Sequence, residues 1–154
     1  MITVMEPSPY EAITKLLFTY ARRIDDGDFE GIGEHFKYAT MTFEGFGEAI
    51  TGAEAITTLY HRTTRRYENG TPNTKHVITN VMVDVADDGL TATSQSYFTV
   101  LQAVPGVLTL QPIIAGRYRN GFEHVDGQWR FSSVHIIIEL MGDLAHHMLI
   151  DLAP

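Results

Sequence analysis

The chain has 154 residues, 44% hydrophobic and 19% charged, a size and balance that fit one ordered domain, residues 1–154, with a sizeable core. Eleven Lys and Arg against 19 Asp and Glu leave a formal charge of −8, which disfavours phosphate backbones and anionic membranes, so neither nucleic acid nor membrane is an expected partner. The one basic cluster, Arg62, Arg65 and Arg66, is too small for a nucleic-acid surface. Absence of cysteine excludes disulfides, thiolate catalysis and cysteine-ligated metals, and it fits a cytoplasmic location.

Residues 1–7 read as a loose lead-in, without the basic and apolar blocks of a signal peptide. Ser8-Pro9-Tyr10-Glu11 is a capping box with proline at the first helical position. Ile13, Leu16, Leu17, Tyr20, Ala21 and Ile24 then recur at helical spacing, which predicts a helix from Pro9 to about Ile24. Asp25-Asp26-Gly27-Asp28 stops it; Gly27 suits the left-handed conformation, and Asp28 caps a short second helix carrying Phe29, Ile32 and Phe36.

Thr40–Glu44 and Ala49–Thr51 predict two short strands around a glycine-rich turn, and Gly52-Ala53-Glu54 opens a third helix with Ile56, Leu59 and Tyr60 on one face. Thr74–Val85 is rich in β-branched residues and ends at Asp87-Asp88-Gly89, a hairpin turn. Leu90–Val104, Val107–Glu123 and Gln128–Leu140 follow as strands, turned at Pro105-Gly106 and Asp126-Gly127, and Gly142–Leu152 is expected to form a short helical tail. The charge-free stretch Gly89–Gly116 is broken by polar residues and a turn, so it reads as paired strands and not as a membrane helix. Helices followed by a meander of long strands predict an α+β fold, a strongly curved antiparallel sheet with helices on its concave side, enclosing a pocket.

This order resembles the nuclear transport factor 2-like cone and, within it, the SnoaL-like group of polyketide cyclases and scytalone dehydratase. The resemblance rests on Tyr20-Ala21…Ile24-Asp25…Gly27-Asp28-Phe29, Phe36, Gly52…Ala55-Ile56, Thr74–Val81, Gly116-Arg117-Tyr118 and Asp126–Phe131, and spans about residues 8–143. It is specific for fold and far less so for reaction, because this fold hosts enzymes, carriers and structural subunits alike.

Asp25 is the first candidate catalytic residue. It falls at the negative end of the first helix, beside Asp26 and Asp28, where a carboxylate is disfavoured. A turn aspartate bonding its own backbone is the plainer reading. His76 lies on a strand where it would share a face with Ile78, Asn80 and Met82, with Val77, Thr79, Val81 and Val83 opposite; two apolar faces suggest cover on both sides. A satisfied core histidine is the plainer reading there. The resemblance implies that the two meet: in scytalone dehydratase-like proteins an aspartate and a histidine at these positions form an acid–base dyad facing the cavity. Such sites add two tyrosines that polarise the carbonyl through water, and those positions here hold Ile24 and Glu44, which cannot do so.

A second register resembles ketosteroid isomerase, with Tyr20 as the phenol donor and Glu44 as the carboxylate base; Asn120 is only a loose counterpart of that site's second donor. Tyr20 as core and Glu44 as surface are the plainer readings. Asn80 and His135 are further candidate pocket residues, and Tyr60, Tyr97, Tyr118 and Phe122 are candidate walls of an aromatic cavity. Asp143, His146, His147 and Asp151 have spacings compatible with a metal on a helix, but adjacent histidines point to different faces, and no metal is expected.

The expected function is that of a cofactor-free lyase or isomerase, of dehydratase or cyclase type, acting on a small hydrophobic cyclic carbonyl compound. The alternatives are a binding protein without turnover, or a structural subunit resembling the small subunit of ring-hydroxylating dioxygenases. A homodimer or homotrimer through the outer sheet face is expected, with Ile136 and Ile138 as contacts.

Overall fold

The computed structural model describes residues 5–152. Helix α1 spans Pro9–Asp25 and opens with the capping box, Ser8 accepting from the Glu11 amide while Glu11 accepts from Ser8. Its inward stripe, Ile13, Leu17, Tyr20, Ala21 and Ile24, is buried. The helix ends in a Schellman turn: Gly27, at φ +73°, donates to Ile24 and Asp28 donates to Arg23. Asp28 at once caps α2, Phe29–His35, by accepting from the Gly31 amide at 2.9 Å. Two helices therefore meet within three residues, and Asp25 is fixed at the joint.

The remaining elements are β1 (Thr40–Phe43), β2 (Phe46–Thr51), α3 (Ala53–Thr63), β3 (Thr74–Val85), β4 (Thr91–Val104), β5 (Leu108–Val125) and β6 (Gln128–Met141). They form one six-stranded sheet in the order β2-β1-β6-β5-β4-β3. The four long strands pair antiparallel as a meander, whereas β1 joins β6 in parallel, so the sheet is mixed and not purely antiparallel. β1 and β6 are separated in sequence by β2, α3 and β3 to β5, and with no tight turn between them the two strands are free to pair in parallel. Bulges interrupt β3–β4, β4–β5 and β5–β6 and bend the long strands around the helices. The core lies between the helices and the concave face, where Phe29, Ile32, Phe36, Met41, Ile56, Phe122 and Phe131 are almost fully buried.

Four expectations change. Gly142–Leu152 forms turns and one isolated bridge, Thr64 to Met148, in place of a helical tail. Strand β3 is the sheet edge, and its outer face is open, with Val77 and Met82 39% and 67% exposed. Asn80 adopts φ 53° in a bulge between Thr79 and Met82, which resets the alternation. Val81 and Val83 therefore take the inner positions after His76 and Ile78, while Asn80 turns to solvent. Ile136 and Ile138 line the interior cavity and are not outer-face contacts. Among the described residues, no helix is long and apolar enough to cross a membrane.

Candidate active site

Asp25 occupies the last turn of α1, where its charge opposes the helix dipole. Three donors offset that placement. Thr74 Oγ1 lies 2.8 Å from Asp25 Oδ1, the His76 backbone nitrogen lies 2.8 Å from Oδ2, and His76 Nδ1 lies 2.6 Å from Oδ1. The backbone bond is available because β3 is an edge strand with unpaired amides. Both side chains are buried, 9% exposed for Asp25 and 5% for His76. A carboxylate only accepts, so Nδ1–H donates to Asp25 and His76 Nε2, at the other edge of the ring, is left as a free base.

His76 lines a cavity of about 220 Å³ between α1, α3, the concave sheet face and the C-terminal segment. Its walls are mostly apolar, including Ile24, Phe43, Phe98, Ile114, Ile136 and Ile138, so charges developing inside it are weakly screened. Behind the dyad, a polar surface cleft lined by Arg22, Asp26 and Lys75 also reaches Asp25 and His76. The pair thus stands between a dry chamber and solvent.

Three tyrosines supply the chamber's hydroxyls. Tyr20 of α1 and Tyr60 of α3 are hydrogen-bonded, oxygen to oxygen, at 2.9 Å, and Tyr118 of β5 also bonds Tyr20. Burial pushes Tyr20 up to about 12, with the bonds from Tyr60 and Tyr118 pulling the other way, and burial drives Tyr60 and Tyr118 well above the usual phenol value. All three therefore stay protonated at neutral pH. Three hydroxyls hold three protons and two are spent within the cluster, so one O–H is left to donate to a ligand. The Tyr20 ring lies 6.4 Å from the His76 ring, which puts donor and base in one space. Ile24 and Glu44 are not tyrosines, yet α1, α3 and β5 bring three phenols to the chamber from other positions.

Four sequence candidates lie elsewhere. Glu44 sits in the β1–β2 turn with its side chain 59% exposed. His135 points away from the cavity, bonded through Nδ1 to Thr42 Oγ1 at 2.7 Å and 3.9 Å from Glu44. Tyr97 is 47% exposed beneath the Arg117 guanidinium. Asn80 is the exposed bulge residue described above. For Glu44, His135 and Asn80 a nearby turn or bulge resets the facing, whereas Tyr97 lies in an uninterrupted alternation of β4 that places it on the outer face. Phe122 is packed in the core away from the cavity, and Asn120 is buried without lining it.

One cavity residue, His147, enters the sequence reading only as a metal ligand. It is 5% exposed and its ring centroid is 6.4 Å from that of His76. Burial, then the neighbouring His76, push its pKa down to about 4. The signal that points to it is the His146-His147 pair in a tail where Leu144, Met148, Leu149, Ile150 and Leu152 are apolar. The two do point apart, His146 lying 3.9 Å from Asp143, and among the described residues no cluster of His, Asp and Glu is placed to hold a metal.

Comparison with solved structures shows the same architecture. An NTF2-like protein with a cystatin-like fold from Novosphingobium aromaticivorans superposes with a TM-score of 0.69 at 23% identity, covering 89% of this chain and 85% of that one. Aln2 from a Streptomyces species gives 0.67 at 25% identity, with 87% and 94% covered. A protein designated a candidate scytalone dehydratase from N. aromaticivorans gives 0.67 at 19% identity, with 87% and 86% covered. A search of curated proteins finds no match. The sequence profile of the SnoaL-like domain matches residues 7–135, and the chain therefore belongs to the SnoaL-like family.

Proposed function

We propose that this protein is a cofactor-independent lyase or isomerase acting on a hydrophobic cyclic carbonyl compound. The observation that carries the reading is the Asp25–His76 pair at the wall of an apolar cavity that also holds a spare tyrosine O–H. His76 Nε2 takes a proton from the carbon beside the carbonyl, and Asp25 stabilises the resulting imidazolium. The electron pair moves onto the carbonyl oxygen, which the tyrosine cluster meets with its free O–H. The proton then returns either to another carbon, an isomerisation, or to a leaving hydroxyl, an elimination.

A structural subunit would have the cavity filled with side chains; the space beneath three hydroxyls and two imidazoles supports a ligand-handling role instead. The name of the scytalone dehydratase candidate, a structural neighbour, agrees with this class of chemistry. The exposed outer sheet face, with Val77, Met82 and Tyr97, suits a homodimer or homotrimer contact, and the cysteine-free chain suits the cytoplasm.

Deuterium exchange at C2 of 1-tetralone in D2O, followed by NMR, tests the proton-transfer step directly. The wild-type protein accelerates exchange over buffer and His76→Asn abolishes the acceleration. Binding of 1-tetralone without any acceleration would leave a carrier, not an enzyme.

A further inference from the structure

The strand that carries His76 opens with a second polar residue aimed at the same carboxylate. Residues two apart on a strand share a face, so Thr74-Lys75-His76 presents a hydroxyl and an imidazole to one partner. Thr74 is only 4% exposed, at a place where valine would suit a strand equally well and bury no hydroxyl. Its Oγ1 donates to Asp25 Oδ1, since a hydroxyl that meets a carboxylate is always the donor.

The two oxygens of Asp25 are loaded unequally. Oδ2 takes the His76 amide at 2.8 Å, whereas Oδ1 takes both the Thr74 hydroxyl and His76 Nδ1–H, at 2.8 and 2.6 Å. The oxygen that orients the imidazole is therefore the one that Thr74 holds. The last torsion of an aspartate is broad, and the amide bond anchors one oxygen only. Cations also compete for the carboxylate, because Arg22 and Lys75, with Asp26, line the surface cleft that reaches it. Thr74 resists that pull from a rigid base. It is β-branched, which restricts its first torsion. It pairs across the sheet with Gln102, a fully buried residue whose Nε2 donates to the Pro72 carbonyl at 3.0 Å, and the Ala103 amide donates to the Asn73 carbonyl at 3.3 Å.

We propose that Thr74 is the positioning residue of the dyad: its hydroxyl fixes the Asp25 carboxylate so that Oδ1 meets Nδ1–H and Nε2 stays the free base. Thr74 does not line the cavity and acts only through Asp25. This deepens the proton-transfer reading above and, for its effect on turnover, rests on it.

Proton NMR of the imidazole N–H signals is compared in wild type, Thr74→Val and Thr74→Ser, with His76→Asn identifying the His76 resonance. The ligand-free wild type should show a low-field Nδ1–H signal protected from exchange with water. Thr74→Val keeps the shape of threonine but not its donor, and should speed that exchange by about tenfold, the effect of losing one hydrogen bond to a charged group. Thr74→Ser should restore the protection. Deuterium exchange at C2 of 1-tetralone should likewise fall about tenfold in the valine variant, with calorimetric affinity for 1-tetralone unchanged, and recover in the serine variant. Equal Nδ1–H protection in wild type and Thr74→Val overturns the proposal, as does a serine variant no better than the valine one. A lower Tm with the Nδ1–H signal unmoved also overturns it, since Thr74 would then only stabilise the fold. The NMR signal is read without ligand, so it decides the role of Thr74 even where the wild type fails to accelerate 1-tetralone exchange and the proton-transfer reading falls.

Discussion

Asp25 holds His76 at two points, the ring Nδ1 at 2.6 Å and the backbone nitrogen at 2.8 Å. One carboxylate therefore fixes the position of the residue on its strand, the plane of its ring and the location of its proton. A single side chain couples the end of α1 to the edge of the sheet.

Asp25→Asn tests that coupling. An amide nitrogen placed toward Nδ1 would donate to it, shift the imidazole proton to Nε2 and remove the free base. Proton abstraction should fall by about 10²–10⁴-fold with little change in ligand affinity. Deuterium exchange of 1-tetralone measures the first and calorimetry the second. An exchange rate equal to wild type would show that the dyad is structural only.

Tyr20 is the shared partner of two buried phenols. Tyr20→Phe should slow turnover by about 10²–10³-fold, the usual effect of losing one oxyanion donor. It also strands the Tyr60 and Tyr118 hydroxyls, so urea denaturation should show a loss of about 1–3 kcal/mol. Tyr60→Phe leaves the Tyr20 hydroxyl in place and should affect turnover less. A larger effect at Tyr60 than at Tyr20 would contradict this arrangement.

His147 makes stability depend on pH. Its folded pKa of about 4 lies below its ordinary value of 6.5, so the unfolded chain binds the proton first. Stability from this group is complete above about pH 6.5, declines as pH falls, and stops declining near pH 4. The total loss is about 3 kcal/mol, the cost of protonating a group whose pKa falls from 6.5 to about 4 on folding. Asp25 and His76 are the titratable neighbours that act on it. Denaturation curves across this window should be flatter for His147→Phe, and an unchanged slope would show that His147 titrates normally.

Gly27 is required on two grounds. Its φ is +73°, and a Cβ there would stand 2.0 Å from the Gly70 carbonyl oxygen. Gly27→Ala should therefore lose more than about 1–2 kcal/mol, seen as a lower Tm. Exchange activity should fall with it, because Asp25 lies in the same turn. Asn80→Gly, at the other left-handed position discussed, should be nearly neutral, since glycine adopts that conformation freely.

Much of the fold is legible locally. The capping box, the Gly27-Asp28 joint and the β-branched run Thr74–Val85 each specify a conformation within a few residues, and the structure places those elements there. The resemblance leads to Asp25 and His76 as a pair, although separate residues on separate elements give only a misplaced charge and an isolated histidine. Asn80, Glu44 and His135 escape the same reading because strand facing does not extrapolate through bulges and turns, and Tyr97 because clean alternation does not by itself say which face is concave.

The sequence by itself determined the α+β class and the order of the helices and strands from Pro9 to Met141, because propensity, capping and hydrophobic period act over short range. Tertiary structure alone decided that β1 runs parallel to β6, that phenols from α1, α3 and β5 share protons, and that His147 returns to face His76. These depend on contacts between residues up to 98 positions apart, as Tyr20 and Tyr118 are, and no local pattern encodes which distant side chain will fill a given space.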